Sequence, residues 1–264
     1  MKYNYAEDCV FKKPLITFKQ IIIVLLACML IFSVQTGFNN YSIILTQVHY
    51  AEYLQKLETK KNTEGFDSLS SINNDILAWI TINDVELSVP IVKTSNKEDE
   101  NFYLTHGFDK NKNSLGCPYQ EHSYDLSSNN TLFIGHSSYT MTMFGNKTNE
   151  SLFGKLNTYT NTRGDFDYLM KLETSNEVSY YKIIGYFYYN ITDTTSSQYQ
   201  EISKNIYGAG SLTNEASYNN YINTLKKYTL SNKNIESTFG DQFVTLFTCY
   251  FNLDFRTIVI AKKI

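Results

Sequence analysis

Hydrophobic and polar residues divide the chain into three regions. Residues 21–34 form an apolar run, IIIVLLACMLIFSV, that contains no charge. Between residues 41 and 73, apolar positions recur at three- and four-residue spacing before the chain turns polar. This predicts a stalk helix and a linker that ends near Asn73. From residue 75 onward, short runs rich in β-branched and aromatic residues predict strands.

The strand region also contains one amphipathic segment. Residues 215–230 place apolar side chains on one helical face, namely Ala216, Tyr218, Tyr221, Ile222 and Leu225. The predicted strands are ILAWITI at 76–82, VELSVPIV at 85–92, Asn130–Ile134, Val178–Tyr189, Phe243–Thr248 and Thr257–Ala261. Many strands with few helices disfavour a doubly wound α/β fold. The pattern predicts a mainly β fold, a barrel or rolled sheet with peripheral helices.

The apolar run is long enough to cross a membrane. Extended to residues 18–38, it reaches the ~20 residues that a spanning helix needs. Lysines precede it at positions 12, 13 and 19, and no Lys or Arg follows until Lys56. The positive-inside rule therefore predicts a cytoplasmic tail at 1–17, a single-pass anchor at 18–38, and an extracellular remainder. A cleaved signal peptide is the alternative, but the run is long and no A-x-A-like site follows it.

Charge and cysteine content narrow the chemistry further. The net charge of −3 gives no basic field for nucleic acid. Four cysteines without C-x-x-C spacing or a His cluster indicate neither a zinc site nor a disulfide scaffold. With the predicted topology, Cys9 is cytoplasmic and Cys28 lies in lipid. Cys117 and Cys249 are then outside, where a free thiol needs a chemical reason.

Three residues at strand ends are candidates for catalysis. Cys249 ends the strand VTLFTC, His136 follows Gly135 after an apolar strand, and Arg256 opens the last strand. Each alone has a simpler interpretation: an inert buried thiol, a hydrogen-bonded surface imidazole and a solvated cation. Together they can perform acyl transfer through a thioester, because an imidazole supplies acid and base and a guanidinium stabilises an oxyanion.

Several short motifs resemble those of the class B sortases, the cysteine transpeptidases of Gram-positive bacteria. V-T-L-F-T-C with a following Arg resembles the T-L-x-T-C signature of sortases, and N-T-L-F-I-G-H resembles the strand that carries the family's His. T-M-F-G at 142–145 looks like the class B extension after that His. N-D-I-L-A-W-I-T-I, V-P-I-V with Pro90, F-Y-L-T-H-G-F-D and the helix at 215–230 also match, so the resemblance covers residues 74–264.

The resemblance implies a fold and a reaction. The fold is an eight-stranded sortase β-barrel with an N-terminal helix and a helix before the seventh strand, which makes 39–73 a stalk and 74–264 the catalytic domain. Cys249 attacks a carbonyl in a C-terminal sorting signal, and Arg256 holds the carbonyl oxygen. His136 protonates the leaving amine and later deprotonates the incoming amine. The partners are secreted proteins that carry the signal and a peptidoglycan-precursor amine such as lipid II. No cofactor or metal is implied.

Some points remain open at this stage. Cys117 departs from the class B pattern, and is interpreted either as a half-buried thiol or as a reversible disulfide partner of Cys249. His106 lies in the family stretch Y-L-T-H and is interpreted as structural. The half-turns Tyr188–Gln200 and Tyr250–Phe255 are expected to contact the sorting signal. A surface cysteine endopeptidase and a catalytically silent membrane-anchored binding module are the alternative functions.

Overall fold

The computed structural model describes residues 18–93, 99–141, 147–162, 169–249 and 254–264. The chain divides into two compact units, Met1–Leu45 and Thr46–Ile264. Helix α1, Phe18–Glu64, begins in the first unit and ends in the second. Its segment Ile21–Phe38 has a mean hydropathy of 2.5, which makes this helix long and apolar enough to cross a membrane.

The second unit is built on a closed β-barrel. Its strands are β1 (Ile76–Ile82), β2 (Leu87–Val92), β3 (Tyr119–Gln120), β4 (Asn130–Gly135), β7 (Leu169–Glu173), β8 (Val178–Asn190), β9 (Phe243–Cys249) and β10 (Phe255–Lys263). They follow the order β1-β2-β3-β4-β9-β10-β8-β7, and pairing of β7 with β1 closes the barrel. A separate hairpin contains β5 (Ser137–Met141) and β6 (Lys147–Leu152). The predicted eight-stranded barrel is therefore confirmed.

Alternation of side chains explains how these sequences build a barrel. The first half of β8 alternates exposed and buried residues, as a strand with one wet face should. Its second half is buried on both faces because helices cover the outside of the barrel there. Short helices α2 (Asn157–Thr162) and α3 (Ser197–Ile202) precede the longer α4 (Glu215–Tyr228).

Helix α4 covers the outside of the barrel. It directly precedes β9, the seventh barrel strand along the chain, and the sequence predicted a helix at this place. The side chain of Asn214 caps it by accepting a hydrogen bond from the backbone N–H of Ser217. Leu225 packs so closely on β8 that a Cβ at Gly185 would lie 2.5 Å from it. Gly185 therefore supplies the space that lets the helix approach the sheet.

The C-terminal part of α1 is fixed to the barrel by polar contacts. Lys61 is buried and its Nζ lies 2.8 Å from a carboxylate oxygen of Glu173 on β7. The indole N–H of Trp79 donates to Ser88 Oγ at 2.9 Å, and the Ser88 hydroxyl donates to Glu58 at 2.7 Å. These contacts join the helix to three strands of the barrel.

Candidate active site

The three candidate residues lie at one end of three neighbouring strands: Cys249 on β9, Arg256 on β10 and His136 just after β4. Strand β4 runs parallel to β9 with Gly135 opposite Thr248, which places His136 beside Cys249. On the other side of β9, Arg256 is the direct antiparallel partner of Cys249. Because adjacent strands lie ~4.8 Å apart, the backbone of Cys249 is flanked by that of His136 on one side and that of Arg256 on the other. The predicted meeting of these residues at one barrel rim follows from the strand register.

Cys249 is reachable at this rim. It is the last residue of β9, its thiol is free, and it is only partly buried. Within the part of the chain that the structure describes, no hydrogen bond joins its Sγ to the His136 ring. Hydrogen bonds of catalytic groups often form or tighten only when substrate is bound. The absence of a bond between Cys249 and His136 is therefore compatible with proton exchange between His136 and a bound amine.

The ring of His136 is oriented by the loop between β2 and β3. Its Nε2 lies 2.9 Å from the carbonyl oxygen of Leu104. A carbonyl only accepts, so Nε2 carries the proton of this bond and Nδ1 is left to exchange a proton. Behind the ring, a Cβ at Gly135 would lie 2.8 Å from Phe153. The close backbone approach that the sequence indicated for Gly135 is confirmed.

Arg256 is the second residue of β10. Its Nη1 donates to the carbonyl oxygen of Phe255 at 3.0 Å, which holds the guanidinium near the rim. Its partner on β8 is Tyr189, a buried residue. Burial raises the pKa of Tyr189 to about 12, against the opposing effect of the Arg256 charge. Tyr189 therefore stays neutral, and the only formal charge of this pair belongs to Arg256.

Aromatic rings line the barrel next to these residues. Tyr188 packs edge-on against Phe255 with ring centres 5.9 Å apart, and Tyr207 packs against Phe247 at 5.2 Å. The first contact joins the two half-turns that the sequence assigned to the sorting signal. Residues 250–253 of the second half-turn lie outside the described residues, as does the T-M-F-G segment at 142–145.

Asn157 was not identified from the sequence but lies directly beneath the site. It is fully buried at the start of α2. Its Nδ2 donates to the carbonyl oxygen of Cys249 at 3.3 Å and to Ser137 Oγ at 3.2 Å. Its Oδ1 accepts from the Thr257 hydroxyl at 2.5 Å. The only signal in the sequence is its place after the apolar turn LFGKL, which is too weak to identify a buried polar residue.

The thiol of Cys117 lies away from this rim. Cys117 is 2% exposed, and its S–H points to the carbonyl oxygen of Pro90 at 3.9 Å. Burial raises the pKa of the Cys117 thiol well above its ordinary value. Strand β4 separates its segment from β9, a distance of two strand spacings, or ~10 Å, whereas a disulfide needs Cα atoms within ~7 Å. The structure therefore supports a buried thiol rather than a disulfide with Cys249.

His106 has the structural role that the sequence indicated. Its ring stacks on Phe102 with centres 3.9 Å apart, and its Nδ1 lies 2.8 Å from the Phe102 carbonyl oxygen. Among the residues that the structure describes, no group of three or more His, Cys, Asp or Glu side chains is arranged to hold a metal ion.

Comparison with known proteins finds two sequence relatives that cover about three quarters of the chain. It is 24% identical over 204 residues to sortase B of Staphylococcus aureus, covering 75% of this chain and 74% of that protein. It is 23% identical over 200 residues to sortase B of Listeria monocytogenes, covering 74% and 72% respectively. No family model matches the chain.

The solved structures agree with the sequence relatives. A complex of Staphylococcus aureus sortase B with a substrate superimposes with a TM-score of 0.58 at 20% identity, covering 83% of this chain and 94% of that one. The closed barrel thus has the fold of the sortase B structures. Within that fold, the sequence relatives are sortases B, and the predicted resemblance to class B sortases is confirmed.

Proposed function

We propose that this protein is a membrane-anchored class B sortase that cleaves a C-terminal sorting signal and transfers the secreted protein to a cell-wall precursor amine. The sortase B relatives support a sortase-type transpeptidase. One structural observation supports the assignment of residues: Cys249 and Arg256 are direct partners on β9 and β10, and His136 directly follows β4, whose last residue lies opposite Thr248. An inert thiol, a surface histidine and a solvated arginine have no reason to lie at the same end of adjacent strands.

In the first step, the thiolate of Cys249 attacks the carbonyl carbon of the scissile peptide bond. The carbonyl oxygen becomes an oxyanion, and Arg256 stabilises it without losing its own proton. The C–N bond then breaks, and the imidazolium of His136 gives its proton to the leaving amine. The products are a thioester on Cys249, the released C-terminal peptide and a neutral imidazole.

In the second step, the amine of a peptidoglycan precursor attacks the thioester. Neutral His136 takes a proton from the attacking nitrogen, and the oxyanion forms again beside Arg256. The C–S bond breaks, which gives a new amide and returns the Cys249 thiolate. His136 alternates between acid and base, and the hydrogen bond from its Nε2 to Leu104 keeps the ring oriented through both steps.

The aromatic rim is the proposed place for the sorting signal. Staphylococcus aureus sortase B, whose fold this chain shares, has been solved with a substrate. In this chain, Phe247 lies two residues before Cys249 on the same face of β9 and packs against Tyr207 with ring centres 5.2 Å apart. An extended peptide laid along these strand ends brings one carbonyl between the thiol and the guanidinium.

The N-terminal helix is the proposed anchor. We assign residues 1–17 to a cytoplasmic tail, 18–38 to the membrane span, 39–73 to a stalk and 74–264 to the extracellular catalytic domain. The mean hydropathy of 2.5 over Ile21–Phe38 and the absence of buried residues in this window support the span. Carbonate extraction and N-terminal sequencing test it. We expect the intact chain in the membrane pellet, whereas a soluble chain starting near residue 40 would indicate a cleaved signal peptide.

The reaction is tested on the full chain in detergent micelles. Quenched fluorescent peptides with candidate sorting pentapeptides are incubated with and without an added amine, next to Cys249→Ala. We expect cleavage that depends on Cys249, with an amide product that contains the added amine. Cysteine-dependent cleavage to the free acid alone, unchanged by the amine, would indicate an endopeptidase. Equal activity of Cys249→Ala would contradict the assignment of the nucleophile.

A further inference from the structure

We propose that Asn157 is a positioning residue that sets the geometry of all three catalytic strand ends from beneath. The inference rests on the proposed function, which identifies the reacting groups. Asn157 touches neither substrate nor reacting atoms. It acts through the backbone of Cys249 and through the side chains next to His136 and Arg256.

The bonds of Asn157 reach three separate strands. Its two amide hydrogens go to the carbonyl oxygen of Cys249 on β9 and to the hydroxyl of Ser137, the residue after His136. Its carbonyl oxygen accepts from the hydroxyl of Thr257, the residue after Arg256. The orientation of the amide is defined because the Cys249 carbonyl can only accept, so the nitrogen must face it.

Side-chain alternation explains why one residue can reach all three. Successive residues of a strand point to opposite faces, so Thr257 points away from the face that carries Arg256. Ser137 and Thr257 meet Asn157 on the inner side of the rim. The layer that contains Asn157 therefore lies directly under the layer that performs the chemistry.

The position of Asn157 is itself rigid. Phe153 and Leu156, in the turn just before it, are both fully buried in the barrel core. Strand ends are otherwise the parts of a sheet that fray most easily. A buried amide held by a packed turn supports β9 where it ends and β10 where it begins.

A matched control exists at the opposite end of the same strands. Asn130 is also fully buried, accepts from the Thr245 hydroxyl at 3.0 Å and donates to the Gly210 carbonyl at 3.4 Å. It lies opposite Phe243, at the end of β4 and β9 away from Cys249. Substitution there removes comparable buried hydrogen bonds without touching the catalytic end.

The experiment compares Asn157→Ala with Asn130→Ala in the full chain. Melting temperature, kcat and KM are measured, together with the rate at which iodoacetamide alkylates Cys249, followed by the mass of the peptide that contains it. A misplaced reacting group can cost ~100-fold in rate, so we expect Asn157→Ala to lower kcat about 10- to 100-fold with KM within about threefold. Its alkylation rate should also change, whereas Asn130→Ala should lower the melting temperature and keep kcat within about twofold.

Two further variants keep the test decisive if Asn157→Ala does not fold. Ser137→Ala and Thr257→Val each remove a single bond, and we expect each to lower kcat by about three- to tenfold. The inference is overturned if the folded Asn157 variant, or both single-bond variants, keep kcat within twofold of wild type, or if Asn130→Ala loses as much. A wild-type chain without turnover would instead contradict the proposed function, and the alkylation rates would still decide the role of Asn157.

Discussion

Cys249 lies directly opposite Arg256 across the β9–β10 ladder. Directly opposed residues of an antiparallel pair have Cβ atoms ~5 Å apart, so strand register sets how close the two side chains begin. A slip of one residue would turn Arg256 to the opposite face of the sheet. The hydrophobic pattern that fixes this register, with Ile258 and Ile260 buried in β10, therefore also maintains the site.

Arg256 should not be replaceable by lysine. We expect Arg256→Ala to lower kcat/KM about 100- to 1000-fold, the usual effect of removing an oxyanion donor. Arg256→Lys should recover less than a tenth of the lost kcat/KM, because an ammonium lacks the planar fork of the guanidinium. The fluorescent-peptide assay measures both. Equal activity of Arg256→Lys and wild type would show that only the positive charge matters.

Gly116 should be essential for the orientation of His136. Its φ is +63°, and a Cβ there would lie 2.5 Å from the Tyr103 carbonyl oxygen and 3.0 Å from that of Leu104, the His136 acceptor. We expect Gly116→Ala to destabilise the fold by about 3 kcal/mol and to lower turnover. Gly210→Ala is the control, because φ is +62° there but the space is open, so about 1 kcal/mol is expected. Urea unfolding compares them, and equal losses would exclude the steric explanation.

Substitution of Lys61 should destabilise the fold far more than substitution of its neighbour Lys60. The Lys61 side chain is 4% exposed in its pair with Glu173, whereas Lys60 is 30% exposed in its pair with Glu64. We expect Lys61→Met to destabilise the fold by about 3 kcal/mol, since it leaves a largely buried carboxylate with only Lys171. Lys60→Met should change the free energy of unfolding by less than about 0.5 kcal/mol. Similar values for both would mean that water reaches the Lys61 pair.

The same pair predicts a loss of stability in acid. Burial alone would raise the pKa of Glu173, but hydrogen bonds from Lys61 and Lys171 outweigh it and hold the pKa below the ordinary value. The pair therefore contributes fully above the unfolded pKa of about 4.3, and its contribution disappears as pH falls through the lower folded pKa. Unfolding between pH 7 and pH 3 should show the gap between wild type and Lys61→Met narrowing below pH ~4. A constant gap would assign the effect to packing.

Cys249 should react with thiol reagents in the native protein, and Cys117 should not. Cys249 is partly exposed, whereas Cys117 is buried and its thiol pKa is raised. Peptide mapping after iodoacetamide treatment should find Cys117 modified at least about 100-fold more slowly until urea is added. Cys117→Ala should keep catalytic activity. Rapid labelling of Cys117 would contradict its burial, and a Cys117–Cys249 disulfide under oxidising conditions would restore the alternative interpretation of Cys117 as a disulfide partner.

Long periodic segments were predictable from the sequence, and short ones were not. The residues of β1, the core of β8 and the helix α4 follow clear patterns, so they were placed closely. The two-residue strand β3 carries no periodicity of its own and exists because β2 and β4 pair with it. The hairpin of β5 and β6 is polar and was missed for the same reason.

The candidate site was predictable only in part. Cys249, His136 and Arg256 stand at the ends of recognisable strands, so chemistry and family resemblance pointed to them together. Asn157 belongs to no such pattern, because its role depends on where the folded barrel places a turn. Polar residues that act through tertiary contacts leave little trace in a single sequence.

The bonds of Asn157 join distant parts of the polypeptide. It is 92 positions from Cys249 and 100 positions from Thr257. Contacts of such long range form slowly, because a large loop must close before they stabilise anything. As the chain emerges, the proposed acid–base residue His136 is made well before the proposed nucleophile Cys249. Cys249 arrives with β9, the last strand but one, so under the proposed function acyl-transfer activity and the completed barrel should appear together.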